Sequence, residues 1–101
     1  MKNKKAINLQ LLQEYQERER NKNRLNILKV IKLRRSLMGD GLTYSQINRY
    51  LEEMLGEKIP KNTNISRIKK TRDEGYIKSF EDGFKLTEKG EKEIMDNLIS
   101  P

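Results

Sequence analysis

The chain has 101 residues, 34% of them hydrophobic and 37% charged, and its 22 Lys and Arg against 15 Asp and Glu leave a formal net charge of +7. A length of this order holds one compact core and no second domain, and the positive balance favours a polyanionic partner, either nucleic acid or an anionic membrane surface. Cys and His are both absent, which excludes disulfides, thiolate metal sites and the usual general base, so no metal, no cofactor and no enzymatic activity are expected.

No apolar run approaches the ~20 residues that span a bilayer. The Met1 to Lys5 segment leads into Asn- and Gln-containing sequence rather than a signal-peptide core. A cytoplasmic protein without membrane association is the expectation. The small apolar share also makes a core shared between two copies attractive, which points to a homodimer.

Between Met1 and Met38 there is neither Gly nor Pro, and two helices in tandem are expected, broken at Asn21 and Asn23. In the first, Ile7, Leu11, Leu12 and Tyr15 form one stripe, with Glu14, Glu17, Arg18, Glu19 and Arg20 on the solvated remainder. In the second, Leu25, Ile27, Leu28, Val30, Ile31, Leu33 and Leu37 occupy most of the helical wheel, a pattern that calls for burial on most sides. Gly39-Asp40-Gly41 is a break. Thr43 and Gln46 then have capping-box spacing for a helix that ends near Gly56, with Ile47, Leu51 and Leu55 inward, Tyr50 and Met54 beside them, and Asn48, Arg49, Glu52 and Glu53 outward.

After Pro60, Asn62 and Thr63 are suitable N-caps for a helix running to about Glu74, where Gly75 offers a left-handed stop. The periodicity then becomes strand-like, over Tyr76 to Glu81 and Phe84 to Leu86. The dipeptide Asp82-Gly83 suits a two-residue turn with positive φ at both positions. Thr87 can cap a last helix, on which Ile94, Met95, Leu98 and Ile99 share a stripe.

With Ile65 and Ile68 taken as the buried side of the helix before the hairpin, the opposite side is Thr63, Ser66, Arg67 and Lys70, flanked by Asn62 and Asn64. These are cationic or hydrogen-bonding side chains, as a surface that meets phosphates and base edges requires. Lys69 adds to their charge, whereas Arg72 falls on the Ile65 side and suits an intramolecular ion pair. Residues 57–74 carry six basic and three acidic groups and residues 1–41 eleven and four, while residues 42–56 and 75–101 are net acidic. The positive charge is therefore localised. Tyr44, between Thr43 and Ser45, either meets phosphate or packs. The adjacent acids Glu52-Glu53 and Glu81-Asp82 diverge along their elements and make no acid–base pair.

The element order, with IKKTRDEGYI (Ile68 to Ile77) and FEDGFKLTEKG (Phe80 to Gly90), resembles winged helix-turn-helix regulators of the MarR and PadR type. There an I-x-x-L-R-x-x-G-x-I pattern precedes the wing and L-T-x-K-G follows it. Thr71 stands where the pattern has Leu. The resemblance covers roughly Leu25 to Leu98 and belongs to the broad superfamily. It implies a mainly α fold with a small β-hairpin wing, divided into an N-terminal dimerisation or packing arm (1–23), a winged helix-turn-helix core (24–87) and a C-terminal helix (88–101).

It further implies a sequence-specific, dimeric transcription regulator of double-stranded DNA. The contact residues would be Asn62, Thr63, Asn64, Ser66, Arg67, Lys69 and Lys70 in the major groove. Thr43, Tyr44 and Ser45 would meet phosphate, and Lys78 and Lys85 of the wing would touch the backbone, with Glu81 and Asp82 opposing deep insertion. Ile7, Leu11, Leu12, Tyr15, Ile94, Met95 and Leu98 are the expected dimer contacts. Two other readings stand beside this one: a partition, replication or architectural protein that coats plasmid or viral DNA, and a winged-helix protein-interaction module. A small-molecule effector leaves no distinctive spacing, and none is assigned.

Overall fold

The computed structural model describes the backbone of residues 2–38 and 41–99 and the side chains of residues 8–34 and 41–98. Four helices, α1 (Lys2–Met38), α2 (Tyr44–Leu55), α3 (Lys61–Asp73) and α4 (Glu88–Ile99), are joined by an antiparallel hairpin of β1 (Ile77–Phe80) and β2 (Gly83–Leu86) that lies between α3 and α4 in the chain. Among the described residues no helix is long and apolar enough to cross a membrane.

The two expected N-terminal helices are one. α1 passes through Asn21 and Asn23 without a break. An Asn inside a helix costs about 0.7 kcal/mol or less against Ala, and this is outweighed because the same turn is pinned from outside. Arg24, 16% exposed, pairs at 3.4 Å with Glu74, the C-cap of α3, and at 3.1 Å with Glu93 of α4. Its guanidinium also lies 4.6 Å from the ring centroid of Tyr76. Below this point α1 buries Ile27, Leu28, Val30 and Ile31. Leu33 is 62% exposed, so the helix is covered on fewer sides than its composition predicts. From Asn8 to Arg18 every side chain is exposed, and this half of α1 forms an arm on a molecule whose long axis is 56 Å.

The capping box at the start of α2 forms as expected: the Gln46 N–H donates to Thr43 Oγ1 at 3.3 Å and the Thr43 N–H to Gln46 Oε1 at 2.9 Å. Gly56 closes the helix in the left-handed conformation, its N–H donating to the Glu52 carbonyl at 2.9 Å. Ile47 and Leu51 are buried, but Leu55 is exposed rather than inward. α3 begins earlier than its side chains suggest, because the Pro60 carbonyl already accepts from the Asn64 N–H at 3.1 Å. Asn62 and Thr63 are therefore first-turn residues and not caps. Gly75, at φ 88, follows the helix as its stop.

In the hairpin, Phe80 pairs with Gly83 and Ser79 with Phe84, so the turn residues are Glu81 and Asp82, one position earlier than expected. Neither has a positive φ, and Gly83 instead carries it at 130°. A Cβ on Gly83 would also collide with the backbone of Leu42, so only glycine fits. That approach exists because Leu42 adds a third pairing to the hairpin. Its N–H donates to the Phe84 carbonyl at 3.1 Å and its carbonyl accepts from the Phe84 N–H at 2.7 Å. Thr87 joins the hairpin to α4: its hydroxyl donates to the Gly75 carbonyl at 2.6 Å and accepts from the Gly90 N–H at 3.2 Å. Ile27, Leu28, Ile31, Leu42, Ile47 and Ile68 centre the core, with Ile77, Phe84 and Ile94 completing it.

Candidate functional site

The buried positions of α3 are Asn64, Ile68 and Thr71, spaced i, i+4 and i+7 as one helical face. Ile65 is only half-buried. The helix is thus rotated by roughly 60° from the orientation its isoleucines imply, less than the 100° of one residue step. Two polar side chains on the buried face allow this: the amide nitrogen of Asn64 and the hydroxyl of Thr71 find partners, while Asn64 Oδ1 is buried without one. Asn64 Nδ2 donates to Asn48 Oδ1 at 2.8 Å, Asn48 Nδ2 donates to Glu52 Oε1 at 3.3 Å, and Glu52 Oε2 accepts the Ile59 N–H at 3.0 Å. The Thr71 hydroxyl donates to the Arg67 carbonyl at 2.8 Å within its own helix, which accommodates Thr where a Leu was expected.

Asn64, 1% exposed, is therefore not on the candidate contact surface; it fixes α2 against α3. Arg67 moves to the edge, half-buried beside α1. What remains on the outer face is Asn62, Thr63, Ser66, Lys69 and Lys70, all exposed. Among the described residues neither lysine pairs with an acid. Asp73, at the end of this face, is answered by Arg72 at 3.2 Å, the intramolecular role expected of that arginine. No side chain caps α3 and its first turn holds no acid, so its N-terminal amides and positive dipole end are open to an anion.

Thr43 and Ser45 are exposed at the start of α2, and with Lys61 and Ile65 the Tyr44–Ser45 corner lines a cleft of about 180 Å³ against α3. The Tyr44 ring is half-buried and meets Phe84 edge-on, 4.9 Å between centroids. It packs. Lys61, which the sequence reading passed over, contributes the cleft's cation.

The hairpin tip differs from expectation in its charge. Asp82 is exposed but engaged: its carboxylate accepts the Gly41 N–H at 2.9 Å and pairs with Lys85 at 3.5 Å. That backbone hydrogen bond, aided by Lys85 and opposed by desolvation, holds the carboxyl below the usual Asp range. Lys85 is consequently half-buried and engaged, whereas Lys78 is exposed. Phe80, 46% exposed, stands between the two ammonium groups, at 5.6 Å from Lys78 and 4.9 Å from Lys85. Sequence reasoning missed it because a strand Phe reads as core.

The expected dimer contacts separate into three groups. Leu11, Leu12 and Tyr15 are 58%, 51% and 62% exposed on the arm, with Leu9 beside them. Met95 and Leu98 are exposed on α4. Ile94 is instead buried in the core of its own chain and is no surface contact. The side chains of Ile7, Leu37 and Ile99, and the Gly39-Asp40 break, lie outside the described residues. Comparison of the chain with family models, with curated proteins and with solved structures finds no match.

Proposed function

We propose that the chain is a sequence-specific duplex-DNA-binding protein of winged helix-turn-helix architecture, acting as a dimeric transcription regulator. α3 would enter the major groove by its outer face, and the hairpin would rest on the backbone. One observation carries the reading: Asn62, Thr63, Ser66, Lys69 and Lys70 form a continuous exposed face whose cations have no acid partner among the described residues. The uncapped start of α3 suits phosphate, and the hydroxyl and amide groups suit base edges. Lys78 and the tip residue Phe80 support backbone or shallow minor-groove contact by the hairpin. The exposed Leu11, Leu12 and Tyr15 support pairing of two arms, which would set two copies of α3 at successive major grooves, about 34–36 Å apart.

The test is titration of selected and random duplexes at two salt concentrations. Lys69→Ala and Lys70→Ala should weaken both duplexes and lower the salt slope by about 1 each if they meet phosphate, whereas Asn62→Ala or Ser66→Ala should cost roughly 1–3 kcal/mol on the selected duplex alone. Absence of binding to any duplex at low ionic strength would overturn the proposal.

A further inference from the structure

α1 does not break at Asn21–Asn23, and its unbroken course creates a second charged surface beside α3. Glu17, Arg20, Asn21, Asn23 and Arg24 of α1 face Arg67, Lys70 and Thr71 of α3 and its C-cap Glu74 across an open cleft of about 350 Å³. Four cations line it, and their states differ. Arg24 is engaged by Glu74 and Glu93 and stacked on Tyr76. Arg20, Arg67 and Lys70 have no ion pair among the described residues. Two acids line the cleft as well: Glu74 pairs with Arg24, and Glu17 forms no ion pair among the described residues. Four cations against two acids leave the cleft with a net positive lining drawn from two helices. Lys70 belongs both to this cleft and to the outer face of α3, so the two surfaces are continuous.

From this juxtaposition we infer that the α1–α3 cleft is a binding site for a phosphate of the duplex backbone, with Arg20 of α1 as a contact residue outside the helix-turn-helix and Arg67 and Lys70 as its partners across the cleft. The inference rests on the DNA-binding reading and adds to it a contact from the N-terminal helix. Guanidinium groups suit this role because their planar donors match phosphate oxygens in pairs. Arg67, half-buried against α1, acts here as a phosphate ligand rather than a reader of bases. Glu17 opposes the site and tunes its strength.

Arg18 provides an internal control. It is exposed like Arg20 and carries the same charge, but it lines no cleft with α3, and a separation of two residues sets the two on different sides of the helix. In the full chain, Arg20→Ala should weaken binding to selected and random duplexes alike, roughly three- to tenfold, and reduce the salt slope by about 0.9. Arg18→Ala should change affinity by less than about twofold at physiological ionic strength, since Arg18 lines no part of the cleft and an exposed charge that grips no phosphate is screened there. Glu17→Gln should tighten binding. The double variant of Arg20→Ala with Lys70→Ala should lose less than the sum of the single variants, because both grip one group.

Equal losses from Arg20→Ala and Arg18→Ala would show that net charge alone matters and would overturn the cleft site. So would an unchanged Arg20→Ala alongside a weakened Lys70→Ala, a result that leaves the α3 reading intact. If the unaltered protein binds no duplex at low salt, both readings fail together.

Discussion

Arg24 and Asn64 are polar residues that the fold has drawn inside, and each organises the elements around it. Arg24 reaches acids 50 and 69 positions away, joining α1, α3 and α4 at one point. Asn64 begins a relay through Asn48 and Glu52 to the backbone of Ile59. Because Glu52 only accepts, each amide in the relay has a determined orientation. Asp82, though exposed, also ties distant segments together at the hairpin tip, where its bond to the Gly41 N–H keeps its carboxyl depressed. A depressed folded-state value means that the stabilisation is full above the unfolded Asp value of about 3.9 and is lost as pH falls through the folded value. Asp82→Asn should therefore melt at a lower temperature than the unaltered protein at neutral pH, with the gap closing as pH drops below about 4. A gap that stays constant from pH 7 to 3 would show that the charge is irrelevant.

The hairpin is held at three places: its own register, the Leu42 bridge and the Asp82 carboxylate. It is therefore more rigid than an isolated two-stranded ribbon, which is marginal in water. Gly83 is the tightest point. Gly83→Ala must place a side chain at φ 130 against the Leu42 backbone, and a loss of about 2 kcal/mol or more is expected in urea unfolding. Gly56→Ala is the comparison, because nothing lies within 4 Å of a Cβ there. It should cost only about 1 kcal/mol, from its left-handed φ of 69.

At the scale of the whole molecule, the compact body lies at one end of α1 and the arm at the other. Every side chain of the arm from residue 8 to residue 18 is exposed, and a helix with so little burial is marginal alone in water. Pairing with a second copy through Leu11, Leu12 and Tyr15 would supply the cover. Light scattering should report twice the 12.0 kDa chain mass, and Leu11→Glu with Tyr15→Glu should return the monomer, its helical circular dichroism falling by no more than the arm's share while the compact body stays folded. If the dimer carries DNA recognition, the same variant should lose roughly 10²-fold in affinity for a two-half-site duplex, through loss of bivalency. A wild-type chain that scatters as a monomer would remove this part of the proposal.

The features legible along the chain are those closed over a few residues. The Thr43–Gln46 box, the Gly56 and Gly75 stops, the Thr87 cap and the presence of a hairpin before α4 all rest on hydrogen bonds or φ values that a short segment settles locally. Much of the α3 face was readable for the same reason, since helical spacing alone groups Thr63, Ser66 and Lys70. What escaped depends on partners far away in sequence. The continuity of α1 follows from Arg24's distant acids, the inward turn of Asn64 from Asn48, the shift of the hairpin turn from Gly41 and Leu42, and the role inferred for Arg20 from α3 lying across the cleft. Packing chooses among local conformations that differ by less than a kilocalorie or two, so local preference names the elements and long-range contact sets their rotation, length and company.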